Sequence, residues 1–489
     1  MNLPQKNDLY LLVLTIVTLP ITIYSYLMVG FTVNTHNFFG AAKLVDFYGA
    51  FPSNVDMSWE SRPIINRMVF YGLYKLFEPL KNNYFMFQIG TKAAVAIVIL
   101  CVCAYFAWMI CRKCEHLNVY AVFLVSALSF FTLHAGCILE AEFFAALGAI
   151  FSIGLLLSDS KWANGAAGVI LAGTFLVKGL TGMMIPVVLI SCFLLDKENV
   201  LKKLKYALWG MITSVVAFAI SWYLWFPNFI PDILYSFEIV NVPQNSLVVR
   251  TYWLIIASSL PLWYIPIVCM GVIASVYIIW GYIRSKKYLM VTSVITLWVL
   301  ATVNVMIQGE FIANHFTLWI VPSIISILLF LSIHYRNNNL TGVLVVVGIT
   351  LCVWFAMSSV WTSGSEIQTD SNNQRIMEAG VIKQNYILDR GETILYLDYD
   401  SPYFLGNPTA CRHTTSPTMV LATDINRAIT NTQAYKDEMA CIMNYRGDYI
   451  VIRPEWFGTN EPANSKIAKE YRMIYSGENW DIYKKGDYI

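Results

Sequence analysis

The sequence predicts an α-helical membrane protein that crosses the bilayer about eleven times and ends in a small α/β domain. Three observations indicate this fold class. Charged residues make up 13% of the chain, about half of the roughly 25% typical of soluble domains. Apolar stretches of spanning length recur through 1–361. From Thr362 onward the composition becomes polar, with short apolar runs that are typical of strands.

The spanning segments follow one another closely. The first is a 21-residue run without a charge, longer than the apolar core of a cleavable signal, and we predict that it is retained. The predicted spans lie near 9–31, 84–111, 117–135, 142–158, 162–177, 180–195, 206–226, 259–283, 288–307, 311–333 and 340–361.

Basic residues in the short loops predict the orientation. If the N-terminus is cytoplasmic, the inner loops hold Lys and Arg, whereas the short outer loops near 136–141 and 308–310 hold neither. An odd number of spans then places the C-terminal region outside. The sequence thus predicts a multi-pass protein of the cytoplasmic membrane, with a membrane domain over 1–361 and an extracytoplasmic α/β domain over 362–489.

Two predicted outer loops are long, 32–83 and 227–258. Both interleave aromatic and aliphatic residues with polar ones, which is typical of helices lying in the membrane interface. In the outer domain, the runs TILYLDYD, DYIVIRPEW, RMIYSG and WDIYKK predict strands, and 374–390 and 424–445 predict helices. Cys411 and Cys441 lie in this domain and can form a disulfide if it faces an oxidising compartment.

Composition also limits the partners. The net charge is +2 and no block of like charge occurs, so we expect membrane lipids and no nucleic acid as partners. The lone C-x-x-C of Cys111 and Cys114 has no second pair to complete a zinc site. No carboxylate-rich motif stands out either. The sequence therefore predicts no metal ligand and no certain cofactor, and it leaves dependence on a divalent metal open.

The first outer loop concentrates acids and bases beside the membrane. We take its carboxylates as candidate general bases and its arginines as candidate phosphate clamps; they are Asp46, Asp56 and Glu60, and Arg62 and Arg67. Arg250 in the second outer loop is a further candidate for binding phosphate. Taken singly, each is more simply a solvated loop residue.

Three ionisable residues accompany the spans, where a charge costs roughly 2.5–3.5 kcal/mol. Lys178 lies in a short turn predicted to be outside, followed by Gly179 and an apolar helix, a combination that can hold an anion. The alternative interpretation is a lysine without a ligand, whose side chain extends to the membrane surface.

Glu140 and Glu142 lie at the outer end of the fourth span. On a helix they diverge by about 200°, so we expect one to face a cavity and the other the headgroups. The alternative interpretation is that both are interfacial carboxylates without a catalytic role, stabilised by the helix dipole.

Several stretches occur in an order that resembles the GT-C glycosyltransferases typified by lipid A aminoarabinose transferases and protein O-mannosyltransferases. They are WESRPIINRMVFYGLYKLF, CILEAEFFAALGAIF, FLVKGLTGMMIPV, SLPLWYIPIVCMG, NHFTLWIVPSI and YFLGNPTACRHTTSPT. Each match is weak alone, and together they cover most of the chain. The resemblance implies the GT-C fold and a polyprenyl-phosphate-linked sugar donor used outside the cytoplasmic membrane.

The resemblance also implies roles for single residues. An acceptor hydroxyl attacks the anomeric carbon, a carboxylate accepts its proton, and Arg62 and Lys178 stabilise the departing phosphate. Glu140 takes the place of the family's second-loop acid, with Glu142 as its rival. The family usually has an acid after the first span, where this chain has Asn34. The base is then one of the loop carboxylates named above, or His36 contributes; His315, in NHFTLWIVPSI, is a further candidate.

Two other functions compete with this one. A lipid or polysaccharide transporter would have ionisable residues near mid-span and an internal repeat, neither of which the sequence shows. An O-antigen ligase-type enzyme would have its main outer loop late in the chain. The sequence does not identify the sugar, nor whether the acceptor is a glycan, a lipid or a protein.

Overall fold

The computed structural model describes residues 6–48, 64–114, 116–177, 179–196, 200–225, 251, 254, 264–308, 313–334, 339–386, 392–398, 401–411, 431–453 and 461–486. Helices dominate this part of the chain. They are α1 Lys6–Met28, α2 Val33–Tyr48, α3 Ile64–Leu76, α4 Tyr84–Lys113, α5 Val119–Phe131, α6 Ala141–Leu157, α7 Lys161–Val177, α8 Met184–Leu195, α9 Val200–Trp225, α10 Ile267–Arg284, α11 Tyr288–Gln308, α12 Ile320–His334, α13 Asn339–Asn385, α14 Ser401–Leu405, α15 Gln433–Asn444 and α16 Glu461–Glu470.

The apolar stretches of the sequence form helices, which confirms the polytopic fold class. Within the described residues, six helices are long and apolar enough to cross a membrane: Asn7–Met28, Tyr84–Lys113, Lys202–Ser221, Ile267–Arg284, Tyr288–Ile307 and Asn314–Ile333. Shorter apolar helices correspond to four of the other predicted spans, at α5, α6, α8 and the start of α13. The remaining predicted span, 162–177, forms the helix α7. The chain is therefore a multi-pass membrane protein.

Local signals explain where individual helices begin. The side chain of Asn83 accepts a hydrogen bond from the Met86 backbone N–H at 3.0 Å and so caps the start of α4. Asn118 caps α5 in the same way, accepting from the Tyr120 N–H at 2.8 Å. These caps satisfy backbone donors that the first turn of a helix leaves without an intrahelical partner.

Small residues and burial organise the helices. A Cβ atom at Gly168 would lie 1.8 Å from the Ala207 carbonyl oxygen, and one at Gly210 would lie 2.0 Å from the Gly165 oxygen. Only glycine therefore permits this approach of α7 and α9, as is common between membrane helices. In the most apolar 18 residues of each span, 89% of the residues are buried in Asn314–Ile333 but only 6% in Lys202–Ser221, as expected for a central helix and a lipid-facing one.

Contacts divide the chain into two compact units. The first comprises Met1–Val29, Leu80–Phe218 and Leu247–Ser365; the second comprises Gly30–Pro79, Ala219–Ser246 and Glu366–Ile489. The predicted boundary after residue 361 falls inside the continuous helix α13. Within the second unit, the first outer loop belongs with the C-terminal region rather than with the spans that flank it in sequence.

The C-terminal region contains a four-stranded sheet. The strands are β1 Ile394–Leu397, β2 Tyr449–Ile452, β3 Tyr471–Ser476 and β4 Asp481–Lys485, in the order β1-β2-β4-β3. The β1–β2 pair is parallel and the others are antiparallel, and β3 and β4, from the runs RMIYSG and WDIYKK, form a hairpin. Cys411 and Cys441 form a disulfide, and Cys411 is part of the domain's apolar core.

Candidate functional site

Glu140 stands at the N-terminal end of α6 and belongs to the motif CILEAEF. It is the N-cap residue, with extended backbone angles (φ −85°, ψ 164°), and its side chain does not cap the helix. Its backbone carbonyl accepts hydrogen bonds from the N–H groups of Phe143 and Phe144 at 3.1 and 3.3 Å. The backbone of Glu140 therefore anchors the helix start without the carboxylate.

Glu142 lies in the first turn of α6, where the helix dipole favours a negative charge. The Nε2 atom of His315 lies 3.5 Å from its Oε1 atom, and both side chains are buried. His315 belongs to the 3₁₀ segment Ala313–Trp319, which packs against α6. Two motifs more than 170 residues apart in sequence thus meet through this pair.

The structure corrects the expected placement of the two glutamates. Glu140 is 1% exposed and Glu142 is 0% exposed, so neither faces the headgroups. The expectation assumed that both lie on regular helix, where two residues turn by about 200°. Glu140 instead precedes the helix in extended conformation, and the helical rotation does not apply to it.

The residue before this cap has an unusual backbone. Leu139 has a φ of 60° and is buried, which places a leucine in the left-handed region that favours glycine. Such a conformation costs on the order of 1–3 kcal/mol and occurs most often at functional sites. It turns the chain sharply just before Glu140.

Cys137 lies beside the two carboxylates. Burial raises the pKa of its thiol to about 12; the charges of Glu140 and Glu142 add to this shift, and the nearby Thr317 side chain opposes it. The thiol is therefore protonated at neutral pH and is not an activated nucleophile.

A third motif joins this region through His134. The backbone N–H of His134 donates to the Tyr264 carbonyl oxygen at 3.1 Å. The two rings also make an edge-on contact, with centroids 4.5 Å apart. Tyr264 belongs to the motif SLPLWYIPIVCMG, which therefore contacts the turn before Glu140. The motif NHFTLWIVPSI contacts Glu142 through His315.

His36 occupies a different environment, in the second unit. It lies in α2 and is fully buried, with its ring centroid 5.0 Å from that of Tyr403 and 4.9 Å from that of Phe404. Burial lowers its pKa well below the ordinary value, and the charges of Arg375 and Lys43 lower it further. His36 is therefore neutral at physiological pH and is packed among aromatic rings.

α2 is docked onto α14 by further contacts one and two turns after His36. The Lys43 ammonium donates to the Tyr403 carbonyl oxygen at 2.8 Å and lies 3.9 Å from the centre of its ring. A Cβ atom at Gly40 would lie 3.2 Å from the Tyr403 backbone nitrogen, so the small residue permits the approach. The segment YFLGNPT of the C-terminal region thus packs against α2.

The other predicted site residues stay predictions. Asp56, Glu60, Arg62, Lys178 and Arg250 lie outside the described residues. Asn34 and Asp46 belong to α2 and Arg67 to α3, but their side chains fall outside the part that the structure describes. Among the described residues, no group of three or more His, Cys, Asp or Glu side chains could hold a metal ion.

Three members of this region were not singled out from the sequence: His134, Cys137 and Thr317. His134 and Cys137 lie just upstream of Glu140 in HAGCILEAEF, and the proximity was a usable signal. Thr317 lies two residues after His315, and nothing in its own sequence context distinguishes it from a structural threonine.

Comparisons with known proteins bear on the fold. No family model matches the sequence, and no curated protein matches it. Two solved structures of ArnT from Cupriavidus metallidurans are similar. The apo structure has a TM-score of 0.58 and the structure bound to undecaprenyl phosphate has 0.57; each is 13% identical, and each alignment covers 97% of both chains.

The similarity extends over almost the whole chain, including the membrane helices and the C-terminal domain. At this level of sequence identity it is the backbone arrangement that is shared. ArnT is an aminoarabinose transferase of the GT-C type. The chain therefore shares the fold of ArnT, as the resemblance of its sequence motifs implied.

Proposed function

We propose that this protein is a membrane glycosyltransferase that moves a sugar from a polyprenyl-phosphate donor to a hydroxyl group of an extracytoplasmic glycan, lipid or protein. The observation that carries the proposal is the ArnT fold over 97% of both chains, with one of the two structures bound to undecaprenyl phosphate. The buried carboxylates at the start of α6 support it. Burying a carboxylate costs free energy, so we expect such a pair to be retained for a function.

In this reaction the acceptor oxygen attacks the anomeric carbon of the donor. The bond between that carbon and the phosphate oxygen breaks, the hydroxyl proton passes to a carboxylate, and the polyprenyl phosphate leaves with its electron pair. Glu140 is our candidate for the base, since its side chain is not used to cap α6. Glu142 is held by His315 at 3.5 Å and is our candidate for positioning this region.

Lys178 remains our candidate for the donor phosphate, together with Arg62, Arg67 and Arg250. Lys178 immediately precedes the 3₁₀ segment Gly179–Met183, which packs against α11. The segment that carries His315 packs against the same helix. These contacts support a donor site that draws on both segments, with a cation stabilising the charge that develops on the phosphate.

Donor turnover tests the proposal directly. The purified full-length protein is incubated in proteoliposomes with a panel of undecaprenyl-phosphate sugars, and released undecaprenyl phosphate is measured. We expect turnover of at least one donor, and we expect Lys178→Ala to lower it by about 10²–10³-fold. Lys205→Ala is the control, since Lys205 is an exposed residue near the start of α9.

Two results would contradict the proposal. Full turnover by Lys178→Ala would exclude this lysine as the phosphate ligand. Movement of an intact lipid-linked glycan across the vesicle membrane, with no cleavage of any donor, would instead indicate a transporter.

A further inference from the structure

A cavity opens at the far end of α6 from Glu140. Its volume is about 260 Å³, and it is lined by Met109, Arg112, Lys113, Ser158, Asp159 and Ser160. The 17 residues of α6 separate the cavity from Glu140 by about 25 Å at 1.5 Å per residue. The cavity therefore lies near the opposite membrane face and is distinct from the candidate active site.

The carboxylates near the cavity are already paired. Asp159 lies 2.8 Å from the Lys113 ammonium and 3.5 Å from that of Lys203. Asp196 lies 2.9 Å from Lys203 and 3.7 Å from Lys113. Two lysines and two aspartates thus balance one another, and this cluster contributes no net charge.

Two further cations remain beside the cavity. The Arg112 guanidinium stacks 5.1 Å from the ring of Trp108, and no carboxylate pairs with it among the residues that the structure describes. Lys161 follows the cavity wall directly and lies 5.7 Å from the ring of Tyr206. The local charge is therefore positive, and the hydroxyl groups of Ser158 and Ser160 add hydrogen-bond donors.

Exposed tryptophans indicate what medium the cavity faces. Trp162, beside Lys161, is 90% exposed, and Trp108, beneath Arg112, is 51% exposed. Tryptophan is enriched at the headgroup level of membranes, where an apolar ring and a polar edge are both accommodated. The two residues place the cavity at the boundary between the hydrocarbon core and water.

We propose that this cavity binds the phosphate headgroup of an anionic phospholipid. The excess positive charge selects a phosphate, and the flanking tryptophans favour a lipid over a free anion. The volume is below the roughly 300–1,000 Å³ of pockets that enclose drug-sized ligands, so it suits a headgroup better than a sugar nucleotide. Basic pockets of this kind between membrane helices are a known mode of lipid recognition.

Native mass spectrometry of the full-length protein tests the proposal. The probes are dioleoyl phosphatidylglycerol and dioleoyl phosphatidylcholine, added to the protein in neutral detergent. We expect preferential binding of phosphatidylglycerol, and we expect Arg112→Gln to weaken it on the order of fivefold. Lys161→Gln is expected to weaken it in the same direction.

The chain offers a matched control at the end of α10. Arg284 stacks over Trp280 at 3.6 Å, which repeats the arginine–tryptophan pair away from this cavity. Arg284→Gln is expected to leave phosphatidylglycerol binding unchanged. Arg112→Lys, which keeps the positive charge, is expected to retain most of the binding, and it guards against a folding defect in Arg112→Gln.

Three outcomes would overturn the proposal. Equal losses in Arg112→Gln and Arg284→Gln would indicate diffuse surface attraction rather than a site. Equal binding of the two lipids would remove the anionic selectivity. Displacement of phosphatidylglycerol by millimolar inorganic phosphate would indicate a site for the free anion, provided that phosphate alone stabilises the protein as much as the lipid does.

Discussion

The two ends of α6 carry charged clusters of opposite character. At its N-terminal end, Glu140 and Glu142 are almost fully buried, with the His315 imidazole beside Glu142. At its C-terminal end, Asp159 and Asp196 are matched by Lys113 and Lys203, and Asp159 is 73% exposed.

The difference separates structure from function. Ion pairs that are matched in charge and partly exposed do not require a functional role, since they connect helix ends at little cost in desolvation free energy. Two buried carboxylates near one histidine are expensive to keep in a membrane protein. We infer that the N-terminal cluster is retained for chemistry and the C-terminal pairs for stability, and substitutions at the two ends are expected to separate these roles.

The largest expected effect is that of Glu140→Gln. The amide keeps the shape of the side chain but cannot accept the hydroxyl proton, so we expect sugar transfer to fall by about 10²–10⁴-fold. Glu142→Gln is the matched comparison and is expected to lose less. Initial rates in proteoliposomes, alongside thermal unfolding, provide the measurement. Activity close to wild type in Glu140→Gln would transfer the role of base to another carboxylate.

A smaller effect is expected at His315, which we propose acts through Glu142 rather than on the substrate. His315→Ala is expected to reduce kcat by about 10–100-fold, as is typical of groups that orient a functional ligand. His315→Gln keeps a hydrogen-bond donor and is expected to recover part of the loss. Steady-state kinetics on both variants check this; equal losses in both would indicate that the histidine only fills space.

At the other end of α6, Lys203→Met is expected to change stability and leave the transfer rate per folded molecule unchanged. The ammonium donates to the Leu157 carbonyl oxygen at 3.2 Å and to Asp196 at 2.9 Å. Its loss leaves these acceptors with fewer donors, at a cost of about 1–3 kcal/mol. Thermal unfolding measures the change. A large drop in kcat with normal stability would show that this end also serves the reaction.

The smallest effect concerns pH. The hydrogen bond from Lys113, followed by the charges of Lys113 and Lys203, lowers the pKa of Asp159 below its ordinary value of 3.8. A lowered carboxyl pKa contributes stability above the ordinary value, and this is lost as the pH falls through the folded-state pKa. Because Asp159 is exposed, we expect the contribution to stay below about 1 kcal/mol.

Asp159→Asn tests this contribution. We expect the variant to be slightly less stable than wild type at neutral pH, with the difference disappearing as the pH falls below 3.8. Thermal unfolding of both proteins across this range provides the measurement. A difference that persists in acid would show that the side chain acts through packing rather than charge.

Much of the fold could be predicted because its signals are local. A stretch of about twenty apolar residues can satisfy its backbone hydrogen bonds in a bilayer only as a helix. The spans could therefore be predicted from hydropathy. The short apolar runs in TILYLDYD and WDIYKK likewise predicted β1 and β4. Contacts between distant segments had no such signal. Nothing near Glu142 indicates that His315 lies 3.5 Å away, and nothing near His36 indicates Tyr403.

The placement of Glu140 shows why side-chain directions could not be predicted from helical periodicity alone. Helical periodicity predicted that Glu140 and Glu142 face different surroundings, but the left-handed Leu139 and the extended N-cap removed Glu140 from the helix. A single backbone turn of this kind depends on the packing around it and has no signature in residue type.

The amino-acid sequence by itself determined the class of the protein, because hydropathy and charge bias act residue by residue through contact with lipid and water. It also determined which motifs carry acids and bases. The tertiary structure alone decided which segments come into contact: Glu142 with His315, His134 with Tyr264, and α2 with the C-terminal region. Such meetings follow from the packing of whole helices, which depends on many residues at once.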